Sequence, residues 1–248
     1  MNIQLLLEGQ TLWSIPLLLF LSSLIIIYLY FYIQYRNTFS SIHFQSFCLA
    51  MGVIYLAYGS PLAAISHALI SLHMVQMALL YFVSAPLLLM SFPVLRILKN
   101  RKPQKQSIST SIISLFLFAL CFFLYHLPSV MHSLMDHTAL HTGYILLLFI
   151  LSLGMWAPFC WAPLATTLKA SNLNRIAFWN SVGIMPACFL LIIGAFFSDI
   201  HSPIVTHLAA QLPPGLEMSL MLLPPAFDQF LAGLLMIIIH KCSMMKWA

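Results

Sequence analysis

The chain has 248 residues, of which 62% are hydrophobic and only 6% are charged, and its mean hydropathy is +0.98. About 25% of the residues of a soluble globular domain are charged, so this composition excludes a soluble domain. It indicates a multi-pass protein of the cell membrane. The stretches between the apolar runs are too short to bury a core of their own, so we expect one transmembrane domain over residues 1–248.

Seven apolar runs follow one another along the chain, at 12–33, 43–58, 64–93, 110–127, 139–157, 175–197 and 219–240. Most of them reach the ~20 residues with which a helix crosses ~30 Å of hydrocarbon. A helix satisfies its own backbone hydrogen bonds in lipid, whereas a single strand does not. The runs therefore predict an all-α bundle of seven transmembrane helices. The third run is long and contains Pro86, which makes its ends the hardest to place.

Basic residues occupy alternate loops. All ten Lys and Arg follow the first, third, fifth or seventh run, and the loops after the second, fourth and sixth runs contain none. By the positive-inside rule, this pattern predicts that the N-terminus lies outside and the C-terminus in the cytoplasm. All five Asp and Glu and eight of the ten His then lie toward the outer side.

The five cysteines show no paired spacing and none falls on the predicted outer side; they are Cys48, Cys121, Cys160, Cys188 and Cys242. The sequence therefore predicts neither an outer disulfide nor an outer thiolate metal site. An outer metal site would use His, Met and carboxylate ligands. That set suits copper better than a structural zinc, although it leaves zinc open.

Histidine and methionine recur in the third run, within SHALISLHMVQM. On one continuous helix, His67, His73, Met74 and Met77 would lie within an arc of roughly 120°, forming one stripe in its outer half. One helix does not close a metal site alone. Ionisable groups at membrane depth are costly, so His67 and His73 are functional candidates.

A second group of histidines surrounds the turn between the fourth and fifth runs, in HLPSVMHSLMDHTALH. His137 and His141 are spaced i, i+4, and they share a face if the fifth helix begins near Asp136, a good N-cap residue. That spacing suits a metal. The alternative is that such histidines bond backbone carbonyls or water at the membrane interface, an interpretation that we favour for His132.

An acidic residue lies near the start of the last run, in PPAFDQFLAGLLM. An Asp in mid-membrane costs ~2.5–3.5 kcal/mol, and Asp228 has no Lys or Arg available in the outer half. A protonated His, a metal cation or protonation of the carboxyl itself remains to compensate it. The alternative is that Asp228 caps its own helix after Pro224 and Pro225.

Three of these segments together resemble a known family. The segment at 59–93, the segment YHLPSVMHSLMDHTALH with the Trp and Pro residues at 156–163, and DQFLAGLLM are similar in register to the CtaG-type cytochrome c oxidase assembly factors of Gram-positive bacteria. Those proteins have seven membrane helices. The resemblance implies a non-enzymatic role in building a haem–copper oxidase, in which copper is held or passed on.

The same resemblance implies partners and site residues. The partners would be oxidase subunits, the lipid bilayer and a copper donor protein, with no nucleic acid. The implied metal ligands are His67, His73, Met77, His126, His141 and Asp228, with Met74, His132, His137 and Met236 as secondary candidates. Many relatives carry histidine at the position of Met77, and several carry a second histidine near 143–145. A thioether in place of imidazole favours Cu(I).

Three other functions stay open on the sequence. Paired histidines on facing helices would hold a b-type haem. Intramembrane His and Asp would also suit a permease for a metal ion or a proton. A structural chaperone that grips oxidase subunits by helix packing would need no ligand.

Overall fold

A computed structural model of the chain describes residues 13–66, 69–92, 108–161, 170–197 and 223–245, and the regular structure within these ranges is entirely helical. The helices are α1 Ile15–Gln34, α2 Ser41–Tyr58, α3 Pro61–Ile65, α4 Ile70–Ser91, α5 Ile108–Tyr125, α6 Pro128–Met135, α7 Thr138–Trp161, α8 Ala170–Gly183, α9 Met185–Gly194 and α10 Pro225–Met245.

The described helices include six membrane spans by length and apolar composition: α1, α2, α4, α7, α10 and the joined pair α8–α9, over Leu173–Gly194. A seventh is present if the pair Ile112–Tyr125 and Pro128–Leu134, bent by 84°, counts as one span. The all-α, multi-pass membrane architecture predicted from the apolar runs is therefore confirmed. The direction in which the chain enters the membrane stays a prediction.

Helix α4 lies at the centre of the bundle and packs against α2, α7 and α10. It is α-helical over Ile70–Ala78, π-helical over Leu79–Ser84 and α-helical again over Ala85–Ser91. A proline inside an α-helix removes one hydrogen bond and clashes with the preceding turn. The wider π turn immediately precedes Pro86, which stands in the first turn of the last α-helical part, and so the span continues through it.

The prediction of one continuous helix over the third run was wrong. The short helix α3 ends at Ile65, the backbone at Leu69 is extended (φ −133°, ψ 126°), and α4 begins only at Ile70. The helix that carries His73 therefore does not extend back beyond Ile70. His67 itself lies outside the described residues.

The main core fills the space between α4, α5, α7, α9 and α10 with large side chains, among them Tyr81, Phe82, Phe118, Phe122 and Trp156. The Trp156 indole donates a hydrogen bond to the carbonyl of Tyr81, at 2.9 Å, which ties α7 to α4. Helix α1 packs on α2 in a separate cluster, where the rings of Tyr28 and Phe47 stack 4.1 Å apart. The core thus holds α4 rigidly among its neighbours.

A glycine lets α10 approach α9 closely. A Cβ atom added at Gly233 would lie 2.8 Å from the backbone oxygen of Cys188 and 2.7 Å from the Ile192 side chain. Small residues at such crossings let transmembrane helices pack backbone to backbone. The glycine of the quoted DQFLAGLLM segment is therefore explained by packing.

Candidate functional site

The polar candidates come together at one end of the bundle, where α4, α7 and α10 begin and α5 ends. His73 lies at the end of the first turn of α4 with Met74 directly after it, His141 lies in the first turn of α7 and Asp228 in the first turn of α10. His126 follows the last residue of α5. The positive-inside pattern predicts that this end faces outward.

Asp228 caps the N-terminus of a different helix. One carboxylate oxygen accepts a hydrogen bond from the backbone N–H of Ile70, at 2.7 Å, and the other accepts from the N–H of Ser71, at 3.2 Å, and from the Ser71 hydroxyl. These N–H groups have no partner within α4, and the helix dipole places positive charge there. The buried carboxylate is thereby compensated without Lys or Arg.

This contact gives Asp228 a partner that the sequence interpretation did not include, and its role as a metal ligand stays a prediction. Protonated His, a metal cation and protonation of the carboxyl were the three compensations expected, and the N-terminus of a neighbouring helix was not among them. Nor does the carboxylate cap its own helix, because the Asp228 side chain points to α4. The same contact accounts for the break before α4, since it fixes Ile70 as the first residue of the helix.

A tyrosine hydroxyl joins two of the predicted histidines. Tyr125 Oη lies 3.0 Å from Nε2 of His73 and 2.9 Å from Nε2 of His141. The two ring nitrogens are therefore within about 6 Å of each other. The tyrosine ring is nearly parallel to both imidazoles, with interplanar angles of 24° and 16°. Helices α4, α5 and α7 are thus tied together by one buried hydroxyl.

His126 faces a methionine sulfur. Its Nδ1 lies 2.6 Å from the carbonyl oxygen of Phe122, which only accepts hydrogen bonds, so Nδ1 carries the proton. In the neutral ring Nε2 then holds a lone pair, and it lies 3.1 Å from Sδ of Met74. Metal-binding histidines are typically held in this way, with the second ring nitrogen donating to a carbonyl.

The other predicted residues lie apart from these contacts. Met77 and Met236 are fully buried in the main hydrophobic core. His132 pairs with Asp136 on the surface at 3.3 Å, with exposed fractions of 50% and 47%, and His137 is exposed. Helix α7 begins at Thr138, near Asp136 as the sequence suggested, but Asp136 itself is the C-cap residue of α6 and not the N-cap of α7. Pro128, in the first turn of α6, allows this extra helix to form in the expected turn.

Within the described ranges, no three side chains among His, Cys, Asp and Glu converge closely enough to hold a metal ion. A site with three protein ligands in this part of the chain would therefore include a ligand of another type, and a thioether is one that lies nearby. A metal ion forms bonds of about 2 Å to an imidazole nitrogen and about 2.3 Å to a sulfur. His126 Nε2 and Met74 Sδ lie 3.1 Å apart, which is less than the sum of these two bond lengths, so one ion can reach both atoms.

Sequence reasoning missed two residues of this region, Tyr125 and Ser71. Tyr125 is fully buried and Ser71 nearly so. A signal for Tyr125 existed, because it precedes His126 in the quoted Tyr-His-x-Pro element, but neither spacing nor composition connects a tyrosine to histidines on two other helices. Nothing in the sequence distinguishes Ser71 from any other serine of a helix.

A second buried polar pair lies deeper in the bundle. His240 Nε2 is 3.1 Å from Asn180 Oδ1, and the Asn180 amide nitrogen has no hydrogen-bond partner in the structure. Phenylalanine rings separate this pair from the first site: Phe122 lies 4.5 Å from the His126 ring and Phe82 lies 4.8 Å from the His240 ring. These rings offer no hydrogen-bonding group, so they do not continue a polar path.

The fold and the site define a class: an all-helical, multi-pass membrane protein whose buried His, Met, Tyr and Asp side chains converge at one end of the bundle. The family profile of the cytochrome c oxidase caa3 assembly factors (Caa3_CtaG) matches residues 26–246. Because this match covers nearly the whole chain, the chain belongs to that family, and the resemblance seen in the sequence is confirmed. The family assembles an oxidase and is not itself catalytic. No curated protein and no solved structure shows significant similarity to the chain.

Proposed function

We propose that this assembly factor binds Cu(I) transiently between His126 and Met74 and passes it to subunits of a haem–copper cytochrome c oxidase. The observation that carries the proposal is the direction of the His126 ring. Its proton is fixed toward the Phe122 carbonyl, and its Nε2 faces the Met74 sulfur at 3.1 Å. A copper donor protein would load the ion, and the oxidase subunit would accept it.

The ligand types fit a soft ion that must be released. Thioether sulfur favours Cu(I) over harder ions, and imidazole binds copper readily. Two protein ligands leave coordination positions for an incoming group. Transfer is a ligand exchange without redox change: each bond from copper to His126 or Met74 breaks as a bond to a ligand of the oxidase forms.

The position of the pair supports delivery at one face. His126 stands at the 84° bend between α5 and α6, so a movement of α6 would open the pair toward the end of the bundle. The phenylalanine rings on its other side give no polar continuation toward His240. This arrangement supports a carrier more than a permease, for which a path across the membrane is needed.

Two conservative substitutions test the site directly. His126→Asn keeps an N–H group for the Phe122 carbonyl and removes the metal-binding nitrogen, and Met74→Leu removes the sulfur at similar volume. Cu(I) affinity of the purified protein is measured anaerobically by competition with a chromogenic chelator. Each substitution should weaken binding at least about tenfold, since even the outer-shell partners of metal ligands are worth 10–100-fold.

Met155→Leu is the matched control, because Met155 is equally buried in the same core but lies on α7. It should bind Cu(I) as the wild type does. The proposal is wrong if the wild type holds no Cu(I) above the detergent background, or if His126→Asn and Met74→Leu bind as tightly as it does. A Soret band in the purified protein would instead indicate haem.

Oxidase activity in a strain that lacks the gene gives the biological readout. Under the proposal, His126→Asn restores less active oxidase than Met155→Leu at equal membrane levels, and added copper partly rescues it. Full activity with His126→Asn would instead indicate a structural chaperone that needs no ligand.

A further inference from the structure

The hydroxyl of Tyr125 lies between two histidines that the sequence predicted as metal ligands, and a metal site would not need a tyrosine there. Its hydroxyl has one proton, so it donates to only one imidazole and accepts from the other. One of His73 and His141 therefore uses its Nε2 lone pair on the hydroxyl, and the other presents Nε2–H to it. In this arrangement the hydroxyl occupies both Nε2 atoms.

This contact adjoins the proposed copper pair. His73 precedes Met74 on α4 and Tyr125 precedes His126 on α5, so the two cross-helix contacts are neighbours on both helices. His73 is therefore the imidazole next to the Met74 sulfur along α4. A copper ion that recruits a third ligand from this side must first break the hydrogen bonds of Tyr125.

We propose that the Tyr125 hydroxyl is an internal competitor for copper: it holds Nε2 of His73 in the metal-free protein and takes it back when the ion leaves, while His141 holds the hydroxyl from α7. This inference rests on the proposed function and adds a positioning residue to it. Re-formation of the hydrogen bond between Tyr125 and His73 offsets part of the cost of losing the bond from copper to His73. The site thereby stays weak enough to give copper away.

The fixed geometry of the tyrosine supports this role. Tyr125 is fully buried, and its ring lies between the imidazoles with Tyr144 stacked 5.7 Å away. This packing and the two hydrogen bonds hold the hydroxyl beside the histidines in the metal-free protein. A group that only supported a ligand would bond the ring nitrogen turned away from the metal, as Phe122 does for His126.

The test compares Tyr125→Phe with Tyr144→Phe in the full-length protein, again by anaerobic Cu(I) competition. Both substitutions remove one phenolic hydroxyl, but that of Tyr144 donates to the backbone carbonyl of Cys121, at 2.8 Å, and not to a histidine. Tyr125→Phe should bind Cu(I) about tenfold more tightly than the wild type, the effect of about 1.4 kcal/mol. It should also release copper more slowly to a competing chelator. Tyr144→Phe should leave both unchanged.

A spectroscopic measurement on the wild type gives a second readout that does not depend on folding of the variant. The infrared difference spectrum between Cu(I)-loaded and metal-free protein should show a shifted tyrosine C–O stretch, which Tyr144→Phe retains. An unshifted band would overturn the inference.

The binding outcomes separate the two proposals. If Tyr125→Phe binds Cu(I) as tightly as the wild type, the competitor role is refuted and the copper function is not. Weaker binding by Tyr125→Phe also refutes the competitor role, because Tyr125 would then support the ligands. Absence of Cu(I) from both proteins refutes the proposed copper function itself.

Discussion

Replacing Asp228 by Asn tests whether this carboxylate holds the start of α4. Asn has the same shape, but it loses the negative charge and turns one acceptor oxygen into an N–H₂ group that faces the donors of Ile70 and Ser71. Hydrogen bonds to a charged group contribute about 1.5–3 kcal/mol each, and a charge at a partly buried helix terminus contributes up to about 2 kcal/mol. These terms overlap, so we expect a loss of about 2–4 kcal/mol in the free energy of unfolding.

Two measurements on metal-free protein check this value. Unfolding in mixed micelles with increasing SDS, followed by far-UV circular dichroism, gives the global stability. Hydrogen–deuterium exchange of peptides at the start of α4 gives the local stability. In Asp228→Asn, exchange should become faster at the start of α4 before it changes in α7. Asp136→Asn is the control, because its half-exposed contact with His132 contributes at most about 0–1 kcal/mol.

The capping role would be refuted if Asp228→Asn and Asp136→Asn were equally stable and exchange at the start of α4 were unchanged. The experiment also separates capping from metal binding. A carboxylate that served only as a copper ligand would leave the metal-free protein as stable as the wild type when it is replaced by Asn.

Three further predictions concern packing, the inner polar pair and orientation. Gly233→Ala should lower the free energy of unfolding by about 1–3 kcal/mol, because the added Cβ would lie 2.8 Å from a backbone oxygen of α9. Gly143→Ala is the control and should leave the stability unchanged, because nothing lies within 4 Å of its added Cβ. Equal stability of Gly233→Ala and the wild type would contradict the close crossing. Asn180→Leu should destabilise by about 1–3 kcal/mol, since it strips His240 of its partner. The double variant Asn180→Leu/His240→Phe should recover part of that loss in the same SDS unfolding assay, and strictly additive losses would argue against coupling. A fluorescent protein fused after residue 248 should fluoresce, because the positive-inside pattern places the C-terminus in the cytoplasm. A phosphatase that is active only outside the cytoplasm should be inactive at the same position. Activity of that phosphatase fusion would contradict the predicted orientation.

Much of the fold could be predicted because the bilayer restricts what a chain can do. A run of apolar residues that is long enough to cross hydrocarbon has to be helical, so the runs at 12–33, 43–58 and 219–240 correspond to α1, α2 and α10. Helix breaks were harder to predict. Nothing in the third run required an extended residue at Leu69, because the cap that ends the break comes from Asp228, 158 residues from Ile70 along the chain.

Part of the candidate site could likewise be predicted from the sequence and part could not. The membrane class, most of the helical spans, the family and the types of side chain near one end could be predicted from short segments, because hydropathy, charge and motif are local properties. Which of these side chains meet could be seen only in the folded bundle: Met74 and not Met77 faces His126, and Tyr125 joins His73 to His141. Those pairings depend on how α4, α5 and α7 are rotated against each other, which is set by packing across the whole bundle and not by any local pattern.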